Sequence, residues 1–441
     1  MNEKMRNDAY SIMSDAIAAV DPAACVYRAV EKKDGELLIN GRSYELSRYD
    51  NIYVIAFGKA SIAMSQAMED ILGDALSSGL AVTKHGFARP LLKMKVYEAG
   101  HPMPDDHSIA AGKMVHDLLG TTGENDLIFF LISGGGSALI SYPRRGISLT
   151  DMAKLTDSFI RAGATIDELN TARKHLSSIK GGGLAKKASP SESVSLILSD
   201  VVGDPLDVIA SGPTVPDTSS FGDFYEIVDR YSIALSPAVA GLLEDGLEGV
   251  IEETPKSGEP VFENTVHHLV GNNSLALLEA EKKASELGYN TMVLTSSVIG
   301  EAREVGKVFA AIAREERLRG APIPLPACIL AGGETTVTMK GMGSGGRCQE
   351  MALSFGIEVE GLENVLLLAA GTDGNDGTTD SAGAFADGQT VERGRNLQFE
   401  ARMQLNNNNS YRFFKETGDL IVTGPTGTNV MDIYVILVDR F

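Results

Sequence analysis

Short apolar runs alternate with longer amphipathic segments along most of this chain of 441 residues. The alternation is typical of βαβ units, in which each strand is followed by a helix that crosses over the sheet. The runs predicted as strands lie at 52–57, 127–132, 194–198, 266–270, 291–295, 328–331, 365–370 and 434–438. Several are apolar throughout, as expected for parallel strands covered on both faces. The pattern therefore predicts an α/β fold with mainly parallel sheets.

The length of the chain allows two domains of ordinary size. The segment 244–265 is acidic, contains proline and glycine and is weakly periodic, which makes it a candidate boundary. We predict a Rossmann-like N-terminal domain at 1–250 and a smaller C-terminal α/β domain at 251–441. Return of the last strand to the N-terminal domain is an open alternative.

Composition excludes several classes of function. The net charge of −20 repels nucleic acid and anionic membranes, and 6% aromatic residues without tryptophan disfavour a base-stacking surface. The three cysteines form no CxxC pair, so neither a zinc site nor a disulfide framework is indicated, and we predict a cytoplasmic protein. No apolar run is long enough to cross a membrane. Segment 1–20 lacks the apolar core of a signal peptide and predicts an ordinary first helix.

Two loops that follow predicted strands suit phosphate. FGKAS at 57–61 places Lys59 at a helix N-terminus, where a lysine is unfavourable without an anionic partner. It is not a P-loop, because Tyr53 stands where that motif needs glycine. SGGGSAL at 133–139 follows LIFFLI, and its consecutive glycines expose N–H groups as a phosphate cradle. The alternative, a tight turn, needs only one or two glycines.

Two further segments carry charged candidates. In RKHLSSIKGGGLAKKA, Lys180 precedes another triple glycine, and either anion binding or an ordinary helix end with cations in its last turn explains it. Asp200, Asp204 and Asp207 follow the predicted strand at 194–198 and are candidates for Mg²⁺ ligands or a general base. The alternative for Asp207 is the first turn of a helix.

The loop GTDGNDGTTDSAGA at 371–384 follows a buried run and contains Asp373, Asp376 and Asp380. Ligands bind at the carboxyl ends of strands in open α/β sheets, and carboxylates there can hold a hard cation. The alternative is a solvated turn, since glycine and aspartate are common turn residues.

The segment 332–353 contains Gly341, Gly343 and Gly346 in the GxGxxG spacing of dinucleotide-binding loops. The residues before it are polar, whereas that motif follows a buried strand. Arg347 opens the next helix, and its guanidinium suits bidentate capture of a carboxylate or phosphate. Glu334 is a candidate for binding substrate hydroxyls or metal, with a helix-capping carboxylate as the alternative.

These motifs occur in one order: FGKAS, GHPMPD, SGGGSAL, KGGGLA, SDVVGDP, SGPTVPD, GGETTV, GGRCQEMAL, GTDGNDGTTDSAGA and TGPTGTNVMD. The combination resembles the class II glycerate kinases, the family with the MOFRL C-terminal domain, from about residue 8 to the end. The resemblance implies transfer of the ATP γ-phosphate to glycerate, with Mg²⁺, in a cleft between two α/β domains. The family's active-site lysine and arginine match Lys59 and Arg347. By analogy we expect 2-phosphoglycerate as product.

The predicted roles follow from these motifs. Catalytic roles are assigned to Lys59, Arg347 and Asp200. Substrate or nucleotide binding is assigned to Ser133, Gly134, Gly135, Gly136, Ser137, Lys180, Glu334, Asp373 and Asn375, and metal binding to Asp204 and Asp376. We expect ATP as co-substrate, Mg²⁺ or another divalent cation as cofactor, and glycerate as substrate. Nucleic acid and membrane are not expected as partners, and a homo-oligomer is left open.

Two other classes of function compete with the kinase. A nicotinamide-dependent hydroxypyruvate reductase is motivated by the GxGxxG spacing at 341–346. A non-catalytic anion-binding module is the third hypothesis. The sequence favours the kinase, because it has several separate loops suited to phosphate and one doubtful dinucleotide motif.

Overall fold

The computed structural model describes residues 3–440, which divide into two compact units. We call 22–199 with 204–270 the parallel-sheet unit, and 3–21 with 200–203 and 271–440 the mixed-sheet unit. These bounds differ from the predicted boundary at 250 and 251. The N-terminal residues belong with the C-terminal sheet because the first helix packs its apolar face, including Met5, Ile12 and Met13, on elements of that unit.

The strands in chain order are β1 (Val30–Lys33), β2 (Glu36–Ile39), β3 (Arg42–Glu45), β4 (Asn51–Phe57), β5 (Ser78–Lys84), β6 (Lys95–Ala99), β7 (Asp126–Ile132), β8 (Glu192–Leu198), β9 (Thr265–Gly271), β10 (Asn290–Val298), β11 (Ala327–Gly333), β12 (Val365–Gly371), β13 (Gly383–Asp387), β14 (Leu420–Ile421) and β15 (Asp432–Val438).

The helices are α1 (Glu3–Ala19), α2 (Pro22–Ala29), α3 (Ser61–Leu72), α4 (Asp106–Leu119), α5 (Gly136–Leu139), α6 (Leu149–Ala162), α7 (Ile166–His175), α8 (Gly183–Ala188), α9 (Phe221–Arg230), α10 (Pro237–Leu247), α11 (Asn273–Glu286), α12 (Ala302–Arg319), α13 (Arg347–Glu358), α14 (Thr390–Asn396), α15 (Ala401–Asn406) and α16 (Ser410–Thr417). Within residues 3–440, no helix is both long and apolar enough to span a membrane.

The main sheet of the parallel-sheet unit has the strand order β6-β5-β4-β7-β8-β9. Its first strand, β4, is central and pairs in parallel with both β5 and β7. Relabelled from one to six, this is the 3-2-1-4-5-6 order of a Rossmann fold, which confirms the predicted architecture. The order reverses between β4 and β7, and in such sheets ligands bind outside the carboxyl ends of the strands at that point.

The sheet of the mixed-sheet unit has the order β10-β11-β15-β12-β13-β14. β10 and β11 are parallel, whereas β15 is antiparallel to its two neighbours, β11 and β12. Asp432, the first residue of β15, therefore lies opposite Gly333 and Gly371, the last residues of β11 and β12. The last strand belongs to this unit and brings a carboxylate to the edge where β11 and β12 end.

Each of the eight predicted strands is present, as β4, β7, β8, β9, β10, β11, β12 and β15. The small sheet β1-β2-β3 was not predicted. Its two turns use Asp34–Gly35 and Asn40–Gly41, all with positive φ, as two-residue hairpin turns require.

Helices α6, α7, α9 and α10 enclose a separate apolar cluster in the parallel-sheet unit. The N-cap of α6 is Ser148, whose side chain accepts the Asp151 N–H while the Asp151 side chain accepts the Ser148 N–H in return. Leu155 and Phe159 are buried in the cluster. Met152 packs against the edge of the cluster, and together with the exposed Ala153 it also lines a cavity.

Candidate active site

The two predicted phosphate loops meet at the switch point of the parallel-sheet unit. FGKAS follows β4 and SGGGS follows its neighbour β7. The Lys59 N–H donates to the Gly134 carbonyl at 2.9 Å, and the Ala60 N–H donates to Ser133 Oγ at 3.1 Å. We call 57–61 the lysine turn and 133–137 the glycine turn. These bonds hold the two turns together at the position where an open α/β sheet binds its ligand.

Glycine is required on both sides of this contact. Gly58 has φ +129, and a Cβ there would overlap Ser133. Gly135 has φ +83, and a Cβ there would lie 2.8 Å from the His101 ring. The conformation of each turn therefore excludes a side chain.

The glycine turn keeps backbone donors available. Within residues 3–440, the N–H groups of Gly134 and Gly135 have no hydrogen-bond acceptor. Consecutive unpaired N–H groups form a concavity that favours an anion. The structure therefore has the backbone geometry of the predicted phosphate cradle.

Lys59 supplies positive charge beside these donors. Its side chain is half-buried, and within the described part of the chain it forms no ion pair. Burial, together with the smaller effects of the Lys59 and Lys84 charges, lowers the pKa of the nearby His101 to about 4. His101 is therefore neutral at pH 7, and the lysine carries the charge at this turn.

Lys180 also reaches the glycine turn. Its buried ammonium donates to the Ser137 carbonyl at 2.6 Å and to Ser137 Oγ. Burial, followed by the charge of Arg173, lowers the pKa of Lys180 to about 7. This placement supports the anion-binding interpretation of Lys180.

The triple glycine after Lys180 differs from the first one. The Gly181 N–H donates to the Ser211 carbonyl at 3.0 Å, and the Gly182 N–H donates to the Gly212 carbonyl at 2.8 Å. Its donors are occupied, so these glycines serve close packing of two segments.

The three aspartates after β8 have separate surroundings. Asp207 lies 3.5 Å from Lys174, which also pairs with the buried Asp217 at 3.1 Å. That ion pair gives Asp207 a structural role. Asp200 and Asp204 are both half-buried, and their catalytic and metal-binding roles stay predictions.

In the mixed-sheet unit, Arg347 is the first residue of α13 and is held by a buried carboxylate. Its Nε and Nη2 donate to Asp432 at 2.6 and 2.9 Å, and its Nη1 lies 2.7 Å from Glu334. Burial alone would lower the pKa of Arg347, but the bonds to Asp432 outweigh it and raise that pKa. The guanidinium therefore has a fixed orientation and a permanent charge.

Asp432 is a residue of this site that sequence analysis missed. It is fully buried and is the only acidic residue in the run DIYVILV. A carboxylate at the start of an otherwise apolar strand was the available signal, because buried carboxylates require partners.

Asp376 supplies the cap of α13. Its two carboxylate oxygens accept the N–H groups of Cys348 at 3.1 Å and Gln349 at 2.8 Å. Gly346 cannot supply a capping side chain, and a Cβ there would overlap Asp376. Burial raises the pKa of Asp376 to about 7, against the opposite effect of the Gln349 N–H.

Replacing Asp376 with asparagine is expected to change the pH dependence of stability. Between its ordinary pKa of 3.8 and about 7, the folded protein keeps a proton that the unfolded chain releases. The stability linked to this proton is fully present below the lower value and is lost as pH rises through the higher one. The Asp376→Asn variant has no proton to release at this position, so it does not lose this stability as pH rises. Its unfolding free energy relative to wild type therefore increases with pH, by up to about 1.4 kcal/mol per pH unit.

Urea unfolding of both proteins between about pH 4.5 and pH 8 measures this difference. Parallel stability profiles for the two proteins would contradict the burial argument for Asp376.

The GxGxxG loop is bound by the asparagine segment near residues 406–409. Asn408 Oδ1 accepts the N–H groups of Lys340 and Gly341, and the Asn407 carbonyl accepts the Gly343 N–H at 2.9 Å. A dinucleotide motif leaves its N–H groups and the following helix N-terminus to the pyrophosphate. Here the N–H groups of the first two glycines of the motif are occupied, and Asp376 occupies two N–H groups at the helix N-terminus.

The rest of the loop after β12 is more open. Asp373 is half-buried and accepts the Asn375 N–H at 3.0 Å, and Asn375 is exposed. Asp380 accepts the Tyr411 hydroxyl at 2.7 Å. Asp373 and Asn375 keep their binding roles as predictions.

The metal assignment can be tested against the donor set. Among residues 3–440, no group of three or more histidine, cysteine, aspartate or glutamate side chains could hold a metal ion. The described residues therefore do not fit a resident metal cage made from protein ligands alone.

Comparison with known proteins covers nearly the whole chain. The family described as a domain of unknown function (DUF4147) matches residues 8–244, and the MOFRL family matches residues 327–432. A D-glycerate 2-kinase from Thermotoga maritima is 40% identical and is aligned over 99% of each chain. A putative hydroxypyruvate reductase from Agrobacterium vitis is 40% identical over 97% of this chain and 93% of its own.

A crystal structure of a glycerate kinase from Thermotoga maritima superposes with a TM-score of 0.89 at 40% identity, covering 99% of this chain and 100% of that one. The ordered motifs, the strand order and the full-length similarity agree. The chain belongs to the class II glycerate kinase family, whose C-terminal part is the MOFRL domain.

Proposed function

We propose that this protein is an ATP-dependent kinase that phosphorylates D-glycerate at the 2-hydroxyl, giving 2-phosphoglycerate and ADP. The observation that carries the proposal is the pair of Gly134 and Gly135 N–H groups, unpaired within residues 3–440, beside Lys59 at the switch point. This arrangement suits phosphate groups. The name of the Thermotoga maritima relative supports glycerate as the acceptor and the 2-position as the site of transfer.

The protein's contribution to phosphoryl transfer is positioning and neutralisation of charge. We assign the phosphates of ATP to Lys59 and the glycine turn. We assign the glycerate carboxylate or the transferring phosphoryl group to Arg347, which Asp432 orients. The 2-hydroxyl oxygen attacks the γ-phosphorus, the bond to the β,γ-bridging oxygen breaks, and Asp200 accepts the hydroxyl proton. Glu334, Asp373 and Asn375 are assigned to the substrate hydroxyls.

We propose that the divalent cation arrives as part of the nucleotide. Mg²⁺ is commonly bound through one or two carboxylates together with substrate phosphates, and it neutralises phosphate charge when bound. Asp204 and Asp376 are the proposed carboxylates. Asp376 is buried and caps α13, whereas Asp204 is half-buried and more accessible to an ion, so Asp204 is the better supported of the two. We also propose a cytoplasmic location, where buried cysteine thiols stay reduced.

The Agrobacterium vitis relative motivates a second candidate, reduction of hydroxypyruvate. The occupied N–H groups of Gly341 and Gly343 in the GxGxxG loop argue against it. Two assays on the same preparation separate the candidates. The kinase releases ADP only when glycerate, ATP and Mg²⁺ are all present, and it does not oxidise NADH or NADPH with hydroxypyruvate. Nicotinamide oxidation without ADP release would reverse the assignment.

A further inference from the structure

A cavity of about 200 Å³ adjoins the glycine turn of the parallel-sheet unit. Its apolar lining, which we call the apolar side, includes Leu149, Met152 and Ala153 of α6 together with Pro102 and Pro104. Its charged lining, which we call the polar side, consists of Lys180 and Arg173, whose charges interact, and Gly135 and Ser137 also line the cavity. Except for Lys180, Gly135 and Ser137, these residues carry no role in the reaction as proposed above.

The polar side of the cavity is complementary to an anion. Its lining contains Lys180 and Arg173 but no acidic residue among the residues that the structure describes. Within residues 3–440, neither cation forms an ion pair, although Lys180 is buried and Arg173 half-buried. Burying cations without counter-charge is unfavourable, so a ligand anion is the expected partner.

The apolar side is complementary to a flat or aliphatic group attached to that anion. Methionine, leucine and proline side chains offer area but few hydrogen bonds, as in the apolar walls of ligand pockets. The cavity is smaller than the ~300–1,000 Å³ typical of sites for whole drug-sized ligands, so it holds only one part of a larger molecule.

The residues next to the cavity indicate where the rest of the ligand binds. Gly135 belongs both to the cavity lining and to the turn that offers unpaired N–H groups. Beyond it, a Cβ at Gly135 would lie 3.5 Å from Lys59 Cγ. Positive or donor groups thus follow one another from Lys180 through Gly135 to Lys59. A ligand matching this order has an apolar end and several linked anionic groups.

We propose that the cavity binds the nucleoside end of the phosphoryl donor, with the base against Met152 and Ala153 and the adjacent phosphate at Lys180 and Arg173. The remaining phosphates follow the glycine turn to Lys59. The proposal rests on the kinase function proposed above. Glycerate fits the cavity poorly, because it has one anionic group and two hydroxyls but no apolar body.

Substitutions that fill the apolar side with an aromatic ring test whether the cavity binds the nucleoside. Ala153→Phe and Thr156→Phe place a ring at two lining positions of α6, and Ile160→Phe adds one at an exposed position of the same helix. Binding is measured with a fluorescent N-methylanthraniloyl-ATP analogue and, by competition, with ATP and inorganic tripolyphosphate. The filled variants are expected to bind ATP at least about tenfold more weakly, with tripolyphosphate affinity within about twofold of wild type. Ile160→Phe is expected to bind both as wild type does.

Photolabelling gives an independent readout. With 8-azido-ATP, the label is expected on the peptide that contains Met152 and Ala153. Equal losses of ATP and tripolyphosphate affinity, or unchanged ATP affinity in both filled variants, would overturn the base pocket, as would labelling confined to other peptides. These are binding measurements. A protein that passes them but releases no ADP with glycerate would refute the proposed acceptor while leaving the nucleotide site intact.

Discussion

Replacing Lys59 with alanine is expected to lower kcat by about 10²–10³-fold, the effect of removing one donor that stabilises developing charge. The folded protein should keep its stability, because within residues 3–440 the Lys59 side chain has neither a hydrogen bond nor an ion pair to lose. Initial-rate kinetics with ATP and glycerate measure the first effect, and urea unfolding measures the second. The exposed Lys33 of β1, changed to alanine, is the matched control and should behave as wild type.

The same variant has a spectroscopic signature. The charge of Lys59 contributes to the low pKa of His101, after burial. Removing it should raise that pKa from about 4 toward 6.5, which a proton NMR titration of the histidine ring detects. Near wild-type turnover in Lys59→Ala would remove the lysine from the mechanism, whatever happens at His101.

Changing Arg347 to methionine is expected to affect both activity and stability. Loss of the guanidinium should reduce kcat by at least about 10³-fold, in the range found for arginines that stabilise transferring phosphoryl groups. The variant also leaves Asp432 buried without its partner, which should lower the unfolding free energy by about 3–5 kcal/mol. Activity and unfolding are measured on the same preparations.

A second substitution separates the two effects. In Arg347→Met with Asp432→Asn, the buried charge is removed together with its partner, so most of the stability should return. The activity should not return, because the cation is still missing. A double variant that regains both would show that Arg347 acts only through folding.

The sequence was sufficient to predict the site residues that directly follow neighbouring parallel strands. FGKAS and SGGGS each follow an apolar run, and parallel strands deliver their carboxyl ends to one edge of a sheet. The contact of Lys59 with Gly134 follows from this rule once β4 and β7 are neighbours. The strand order itself was not predicted, because β5 and β6 lack a continuous apolar run.

Asp432 shows why part of the site was not predictable. Its position depends on β15 entering between β11 and β12 in the opposite direction, and no local pattern encodes that pairing. The GxGxxG loop shows the same limit for backbone donors. Its spacing is identical whether the N–H groups bind a pyrophosphate or the side chain of Asn408, which lies far along the chain.

The distinction between the glycine-rich loops is therefore structural. Among the residues that the structure describes, two N–H groups at 134–136 have no acceptor, whereas the N–H groups of Gly181 and Gly182 donate to carbonyls of a neighbouring segment. Both loops contain three consecutive glycines. Only the tertiary partner decides which triple glycine can bind an anion.

The identity of the reaction product tests the central claim most directly. The protein is incubated with ATP, Mg²⁺ and D-glycerate, and the product is examined by phosphorus NMR with proton coupling retained. Phosphorylation at the 2-hydroxyl predicts a new signal split into a doublet by the single proton on that carbon, together with ADP. A triplet, from the two protons at the 3-position, would correct the site of transfer. Absence of any phosphoglycerate, with ATP unchanged, would contradict the kinase.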